Sequence, residues 1–168
     1  MPAYHSKFKD YDCDAPYGVA ILPLKPDIDD EVDIVDEALE AFRINIYFHN
    51  FEVTSNADRT LVFLTVCIAH CLRLLKDVGP DEEKAKKVLG AFCHEPIPSI
   101  TSGDFFMKYL TKKTDNTKGE DLARYFKEIR SVLVERLMHI LYNPDWGTMD
   151  LKFWLAFHKK KFLKMEWK

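Results

Sequence analysis

The sequence predicts an all-α fold, a single compact helical domain with an extended amino-terminal arm and one proline-containing loop. Two observations support this prediction. The stretch from Asp33 to Leu72 holds an amphipathic helix followed by a second helix that is apolar almost all round. A further stripe of apolar residues with helical spacing runs from Leu122 to Leu141. A helix without a polar face must be covered by its surroundings, so the pattern indicates packing rather than chemistry.

The first predicted helix begins near Asp33 and has two distinct faces, whose residues recur every three or four positions. Its apolar face consists of Ile34, Val35, Ala38, Leu39, Phe42 and Ile46. Its polar face consists of Asp36, Glu37, Glu40 and Arg43. The acids gather where the positive end of the helix dipole favours them. We expect the carboxylates of Glu37 and Glu40 to be solvated, without the desolvation that shifts a catalytic pKa.

The second predicted helix starts at Ser55, where Asp58, three positions later, completes a capping pattern. It runs to Leu75 and is stopped by Gly79-Pro80. A membrane-spanning helix needs about 20 predominantly apolar residues. This run is interrupted by His70, Arg73 and Lys76. We therefore expect a buried core helix and no membrane span.

Three more helices are predicted along the chain. One follows Gly79-Pro80 and ends before Pro96-Ile97-Pro98, which breaks regular structure and predicts a loop. A short helix is expected within residues 101–110. Thr117-Lys118-Gly119-Glu120 matches a capping box and introduces the long stripe that Asn143-Pro144 ends. That stripe is wider than a coiled-coil seam, which favours globular packing.

The last helix is predicted to start near Thr148. Its apolar residues are Leu151, Phe153, Trp154, Leu155, Phe157 and Phe162. Near the amino terminus, Gly18 to Leu24 is apolar, but neighbouring prolines limit it to an extended, edge-like segment. We expect this segment to lie across the helices as an arm. Repeats and Gly/Ser-rich linkers are absent, so residues 1–168 are expected to form one domain.

Composition is that of an ordinary soluble domain, with 47% hydrophobic and 30% charged residues. The formal net charge of −3 argues against a dedicated nucleic-acid binder, which is normally strongly basic. The amino terminus has no positive start followed by an apolar signal core. The expected location is therefore the cytoplasm.

The candidates for metal chemistry are Cys67, His70, Cys71 and Cys93. Thiolates and imidazole suit zinc, but closed zinc sites normally use tighter ligand spacing in a turn. Buried cysteine more often acts as a small hydrophobe, and a cytosolic chain of this size needs no disulfide. Phosphate-binding glycine loops and catalytic elbows are also absent. We expect no cofactor, no metal and no enzymatic activity.

Charge is unevenly distributed along the chain. Acids dominate between Asp27 and Asp58, where Arg43 is the only basic residue. Lysines dominate after Lys152, opposed by Glu166 alone. Both groups can be solvated faces that keep the domain in solution, or surfaces that meet a partner of opposite charge.

Several sequence motifs occur in order along the chain. They are Met1-Pro2-Ala3-Tyr4-His5-Ser6, Leu22-Pro23-Leu24, Asp33-Ile34-Val35-Asp36-Glu37-Ala38, Asn56-Ala57-Asp58-Arg59-Thr60-Leu61, Pro96-Ile97-Pro98 and the Phe153-Trp154 to Phe162 ending. Together they closely resemble the third, or p21, subunit of the actin-related protein 2/3 complex. The chain departs from that family at Ser99, where glycine is usual, and in the amino-acid sequence of its middle segment.

The resemblance implies a non-catalytic structural subunit of the complex that nucleates branched actin filaments. Such a subunit packs against the larger actin-related subunit and helps align both actin-related subunits and the mother filament. It implies residence in the actin cytoskeleton, at cell projections and cortical actin, with no nucleic-acid or membrane partner. A free-standing helical actin-binding adaptor and a small zinc enzyme using Cys67, Cys71 and Cys93 remain alternatives.

Partner contacts are expected at both ends of the chain. The segment from Met1 to Ser6 is hardly hydrophobic yet matches the family's motif, so the resemblance implies that Tyr4 and His5 dock in a partner groove. Near the carboxy terminus, Phe153, Trp154 and Phe157 lie beside lysines, a composition that suits anchors with a charged rim, although Trp154 and Phe157 can equally complete the core. These predicted contact residues are Trp154, Phe157, Lys159, Lys160 and Lys161.

Overall fold

The computed structural model describes residues 3–48, 50–113, 119–143 and 148–167, with the side chains of 148–150 left aside. Its helices are α1 (Ile34–Asn45), α2 (Asn56–Leu75), α3 (Glu82–His94), α4 (Gly119–Leu141) and α5 (Thr148–Leu155). Short 3-10 turns lie at Pro16–Gly18 and Phe162–Lys164. Within these ranges there is no β-strand, and the predicted all-α class is confirmed. No helix in the described ranges is both long and apolar enough to cross a membrane.

Helix α2 lies at the centre of the fold because it has almost no polar face. It contacts α1, α3, α4, α5 and the 3-10 turn at Phe162–Lys164. Leu64, Ile68 and Leu72 are fully buried, as the apolar pattern predicts. The ring of Phe63 stacks on that of Phe126 from α4, with centroids 3.7 Å apart. One hydrophobic cluster then extends from the first turns of the chain to its last residues.

Side-chain caps fix where α1, α2 and α3 begin. Asp33 accepts the backbone N–H of Asp36, and Asp36 returns a bond to the N–H of Asp33, a reciprocal capping box. Ser55 caps α2 by accepting the N–H of Asp58, as predicted. The carboxylate of Asp58 accepts from Thr54 instead, so only half of the capping box is formed. Asp81 caps α3 after the predicted stop at Gly79-Pro80.

The predicted amino-terminal arm is present and buried. Val19, Ala20, Leu22 and Leu24 all lie in the core. The phenol of Tyr125 on α4 donates to the Leu22 carbonyl (3.0 Å) and accepts the Leu22 N–H (3.1 Å). One hydroxyl therefore satisfies both backbone groups of a residue that has no strand partner.

The prediction of a short helix within residues 101–110 is wrong. This segment forms successive turns, with the Phe105 N–H bonded to the Ser102 carbonyl and the Lys108 N–H to that of Phe105. The Ser102 hydroxyl also accepts the N–H of Asp104, a local bond that competes with helix formation. The turns bury Phe105 and Met107 and leave Tyr109 exposed.

The long helix α4 and the last helix occupy the predicted positions, with two differences. The capping residues Thr117 and Lys118, and the stop at Pro144, lie outside the described residues. Helix α5 ends at Leu155, so Phe157 lies outside it and Phe162 belongs to a separate 3-10 turn, against the prediction that one helix carries both.

The carboxy-terminal tail, residues 156–167, folds back over α2 instead of continuing α5. Arg73 of α2 donates to the Lys160 carbonyl at 3.3 Å. The indole of Trp167 packs among the rings of Phe63, Phe92 and Phe106, at centroid distances of 5.7, 5.1 and 5.7 Å. Within this tail Leu163 and Lys164 have positive φ angles of 50° and 62°. Left-handed backbone at two successive non-glycine residues reverses the chain and ends the tail against the core.

Candidate interaction surface

Residues 3–8 lie on α1 and α2 of the same chain, held by two buried carboxylates. The first is Glu37, which is 1% exposed although it was predicted to be solvated. It accepts the Tyr4 hydroxyl, the Ser6 hydroxyl (2.7 Å) and the Lys7 N–H (3.0 Å). Burial, and then the bond to Glu37, raise the pKa of Tyr4 well above its usual value. The prediction for Glu37 is wrong because the amino-terminal segment covers that side of α1.

The second buried carboxylate is Asp58, at the start of α2. It accepts the N–H of Ser6 at 2.8 Å and both the N–H (3.0 Å) and the hydroxyl (2.9 Å) of Thr54. Ring nitrogen Nδ1 of His5 lies 2.7 Å from Oδ2, the same oxygen that accepts from Thr54. Asn45 of α1 meanwhile pairs with the backbone N–H and carbonyl of Tyr4, at 2.8 and 3.0 Å. The amino-terminal segment is thus fixed by several bonds.

The hydroxyl and backbone groups of Tyr4 and the Nδ1 nitrogen of His5 are therefore occupied within their own chain. Helices α1 and α2 supply a groove for this segment, and contact of Tyr4 or His5 with a groove on a partner stays a prediction. A sequence motif that looked like a free docking segment is explained by two buried acids, Glu37 and Asp58, whose donors come from residues 4–7.

Trp154 and Phe157, predicted as partner anchors, lie inside the fold. They are 7% and 4% exposed. The Phe42 ring of α1 stacks on Trp154 and meets Phe157 edge-on, both with centroids 5.7 Å apart. Both side chains belong to the hydrophobic core, to which α5 adds by packing on α2 and α4. Their role as partner anchors stays a prediction.

An aromatic surface lies next to them, of which the sequence predicted Phe153 as an anchor and missed Tyr47. Tyr47 and Phe153 are 57% and 45% exposed, and their rings flank buried Phe157 at 5.7 and 5.4 Å. Arg43 lies 5.2 Å from the Phe153 ring centre, and Lys160 lies 5.1 Å from that of Tyr47. We call these four residues the aromatic face. Aromatic residues and arginine are enriched at protein interfaces, and a cation beside an aromatic ring is attracted to its face.

A cleft lies beside the aromatic face, between the turn after α1 and the carboxy-terminal tail. Tyr47 and Phe48 form one side, and Lys160, Lys161 and Lys164 line the other. The cleft has a volume of about 850 Å³. We call it the lysine cleft. Lys159 and Lys160, two of the predicted contact residues, are exposed next to it, and the third, Lys161, pairs with Glu166 at 3.0 Å.

The acidic segment from Asp27 to Asp58 is partly neutralised by distant cations. Arg136 of α4 pairs with Asp33 and with Asp36, the latter at 3.1 Å. Lys25 pairs with Asp36 at 2.8 Å. Asp33 and Asp36 are therefore used in holding α1 to α4 and to Lys25, which removes part of this charge from the surface open to a partner.

The cysteines occupy an environment that favours packing. Cys67 and Cys71 are fully buried on α2, and burial raises the pKa of both thiols well above the usual value. Burial, and then the charge of Arg73, lower the pKa of His70 to about 4. Within the described ranges no three metal-binding side chains come together. These groups are protonated thiols and a neutral imidazole, suited to a core rather than to catalysis.

Comparison with known proteins shows to which family the chain belongs. Residues 1–166 match the family described as P21-Arc, the ARP2/3 complex ARPC3 (21 kDa) subunit. The chain belongs to this family. It is 37% identical to actin-related protein 2/3 complex subunit 3 of Dictyostelium discoideum, over 95% of this chain and 97% of the relative. It is 33% identical to the same subunit of Arabidopsis thaliana, over 96% and 97%.

A third relative in the P21-Arc family, actin-related protein 2/3 complex subunit 3 of Saccharomyces cerevisiae, is 33% identical over 97% of this chain and 98% of its own. The family consists of non-catalytic subunits of a complex, so the chain is a structural subunit and not an enzyme. These relatives are named as subunits, which gives no support to the alternative of a free-standing adaptor.

Proposed function

We propose that this chain is built into an actin-nucleating actin-related protein 2/3 complex, where it packs chiefly against the larger actin-related subunit. It helps align both actin-related subunits and reaches the mother filament through the complex. Its location is the cytoplasmic actin cytoskeleton, at cell projections and cortical actin. The single observation that carries this proposal is the family match over residues 1–166, with relatives aligned along nearly their whole length.

The architecture supports a clamp rather than a catalyst. Both ends of the described chain are tied to the helical core, the first by Glu37 and Asp58 and the second by Trp167. A body fixed in this way transmits force between the surfaces it presents, because its parts cannot shift independently. The aromatic face supplies exposed rings and cations of the kind that dominate binding energy at interfaces.

Affinity purification tests membership of the complex. The tagged chain is isolated from its own cells in mild salt, and the co-purifying proteins are identified by mass spectrometry. We expect stoichiometric recovery of two actin-related proteins and their companion subunits. Recovery of the chain alone, as a monomer, would contradict the proposal.

A second experiment tests whether the aromatic face contributes. The double variant Tyr47→Ala with Phe153→Ala removes both exposed rings, and Tyr109→Ala with Tyr11→Ala is the matched control, since both tyrosines are also exposed. We expect the first pair to lower recovery of the actin-related proteins and the density of filament branches, while the control pair changes neither. Equal effects from both pairs would remove the aromatic face from the interface.

A further inference from the structure

The lysine cleft combines positive charge with apolar walls. Its cations Lys160, Lys161 and Lys164 come from one short stretch of the tail. Tyr47, Phe48 and Leu163 supply the apolar part of the lining. Among these lysines Lys161 has a carboxylate partner within the chain, Glu166, and Lys160 lies over the Tyr47 ring. The charge of the cleft is therefore only partly compensated.

Backbone strain accompanies this charge. Leu163 and Lys164 both adopt left-handed φ angles, 50° and 62°, which side chains with a Cβ avoid. Glycine would relieve the strain at position 164, yet the position holds a lysine that lines the cleft. Strained backbone persists where the surrounding structure or a function requires that residue. Here the strained turn carries a cation to the side of the cleft already lined by Lys160 and Lys161.

From this combination we propose that the lysine cleft binds an extended acidic segment of a neighbouring protein in the assembled complex. The inference rests on the proposed membership of the complex and adds the chemistry of one partner. Carboxylates of the segment pair with Lys160, Lys161 and Lys164, and its intervening side chains lie against Tyr47 and Leu163. Charge complementarity of this kind sets the register of binding and speeds encounter.

The rest of the chain favours a short acidic peptide over a long polyanion. The formal net charge of the chain is −3, so the three lysines form a local patch of positive charge. A nucleic acid or an anionic membrane would extend beyond this patch over a chain of net negative charge, whereas a short peptide contacts the cleft alone. A lysine ammonium is also a point charge, and it lacks the planar guanidinium group with which arginine makes bidentate hydrogen bonds to phosphate.

Zero-length cross-linking of the purified complex tests the proposal. A carbodiimide joins a lysine ammonium to a carboxylate only when the two are in contact, and mass spectrometry identifies the linked peptides. We expect links from Lys160, Lys161 or Lys164 to Asp or Glu residues of another protein. The intrachain pairs Lys161–Glu166 (3.0 Å) and Lys7–Asp30 (2.9 Å) serve as internal standards for the reaction.

Two sets of variants separate the role of positive charge from that of the lysine side chain itself. Changing Lys160, Lys161 and Lys164 to arginine keeps the charge, so the complex forms while the cross-links disappear. Changing the same three to glutamate is expected to weaken binding of a labelled hexaglutamate peptide to the purified complex about tenfold, and less so at high salt. The matched control reverses Lys84, Lys87 and Lys127, three exposed lysines on α3 and α4, and leaves binding unchanged.

The outcomes distinguish this inference from the proposed function. If the complex assembles and the cleft yields only the Lys161–Glu166 link, the inference is overturned while membership stands. If no complex is recovered, the proposed function itself fails. Retention of phosphatidylserine vesicles or single-stranded RNA by the wild-type complex, lost in the glutamate variant and without interprotein links, would also overturn it in favour of that other ligand.

Discussion

Arg136 of α4 binds Asp33, the cap of α1, through both terminal nitrogens of its guanidinium group, at 2.6 and 2.9 Å. The same carboxylate accepts the N–H groups of Lys25 and Asp36, both at 3.0 Å. One side chain that is fully buried therefore joins the amino-terminal arm, α1 and α4. Elements that are far apart in the sequence meet at this single carboxylate.

Replacing Arg136 by methionine keeps most of the volume and removes the charge. The Asp33 carboxylate would then stay buried without its cation, at an expected cost of about 3 kcal/mol in the free energy of unfolding. Urea denaturation at neutral pH measures the change. Arg124→Met is the control, because its pair with Asp121 is exposed and contributes little. Equal losses in the two variants would contradict the assigned role of Arg136.

Acid stability reports on the same carboxylate. Burial alone would raise the pKa of Asp33, but the Arg136 guanidinium and the backbone N–H groups of Lys25 and Asp36 hold it below its usual value. Since the folded pKa lies below the unfolded one, the stabilisation is present above about pH 4 and is lost as pH falls through the folded pKa. We expect the free energy of unfolding to fall less steeply in this range in Arg136→Met than in the wild type. Parallel curves would show that the pair does not control this titration.

Tyr125→Phe removes only the hydroxyl that serves Leu22. The Leu22 N–H and carbonyl are then left buried without partners, which is expected to cost about 3 kcal/mol. Tyr109→Phe, at a residue that is 87% exposed, should change stability by no more than about 0.5 kcal/mol. Thermal and urea unfolding compare the two. A neutral Tyr125→Phe would mean that water or another donor replaces the phenol.

The same tyrosine predicts behaviour in alkali. Burial raises the pKa of Tyr125 well above its usual value. The folded state therefore keeps a proton that the unfolded chain loses, and stability falls as pH rises above about 10. We expect this alkaline loss to be smaller in Tyr125→Phe. An unchanged slope above that pH would assign the loss to other groups.

Glu37→Gln tests how the amino-terminal segment is held. An amide presents two N–H groups where the carboxylate accepted three donors, so the variant is expected to lose about 1–3 kcal/mol. Hydrogen exchange of residues 3–8 should become faster, while that of α2 stays slow. Glu40→Gln is the matched control on the exposed side of α1. Unchanged exchange in Glu37→Gln would show that Asp58 alone is sufficient to hold the segment.

Lys164→Gly separates stability from binding. Left-handed backbone costs a lysine roughly 1–2 kcal/mol, and the freedom of glycine in the unfolded chain costs somewhat less, so a net gain of about 0.5–1 kcal/mol is expected. Lys159→Gly lies outside the left-handed pair and should lose stability instead. Chemical denaturation of both variants gives the comparison. A loss at position 164 would mean that the strained turn depends on the lysine stem.

The helices could be predicted because their signals are local. Asp33, Ser55 and Asp81 each cap a helix whose apolar spacing follows at once, and the structure places α1, α2 and α3 there. The segment 101–110 has apolar spacing too, but Ser102 and Gly103 favour turns, and burial of Phe105 and Met107 is achieved without a helix. Local pattern predicts an element only when the local turn chemistry agrees with it.

The contacts between distant segments could not be predicted from pattern. Glu37 lies on what the helical spacing marks as a polar face, and only the return of residues 4–7 buries it. Phe157 was assigned to a helix that ends two residues earlier, because nothing in the spacing shows that the chain turns back. The predicted lysines do lie on the surface, whereas the exposed rings beside them became visible only once α1 and α5 were placed together.

The left-handed turn at Leu163 and Lys164 also bears on how this lineage evolves. Asparagine tolerates such backbone and is one nucleotide change from lysine, so mutation offers a stabilising replacement at position 164 again and again. Selection removes only variants that fall below the stability that function needs, so stability alone leaves position 164 free to vary. A lysine held there across relatives would therefore report a requirement for its charge in the cleft. Asparagine or glycine in its place would mark lineages in which the cleft has no acidic partner.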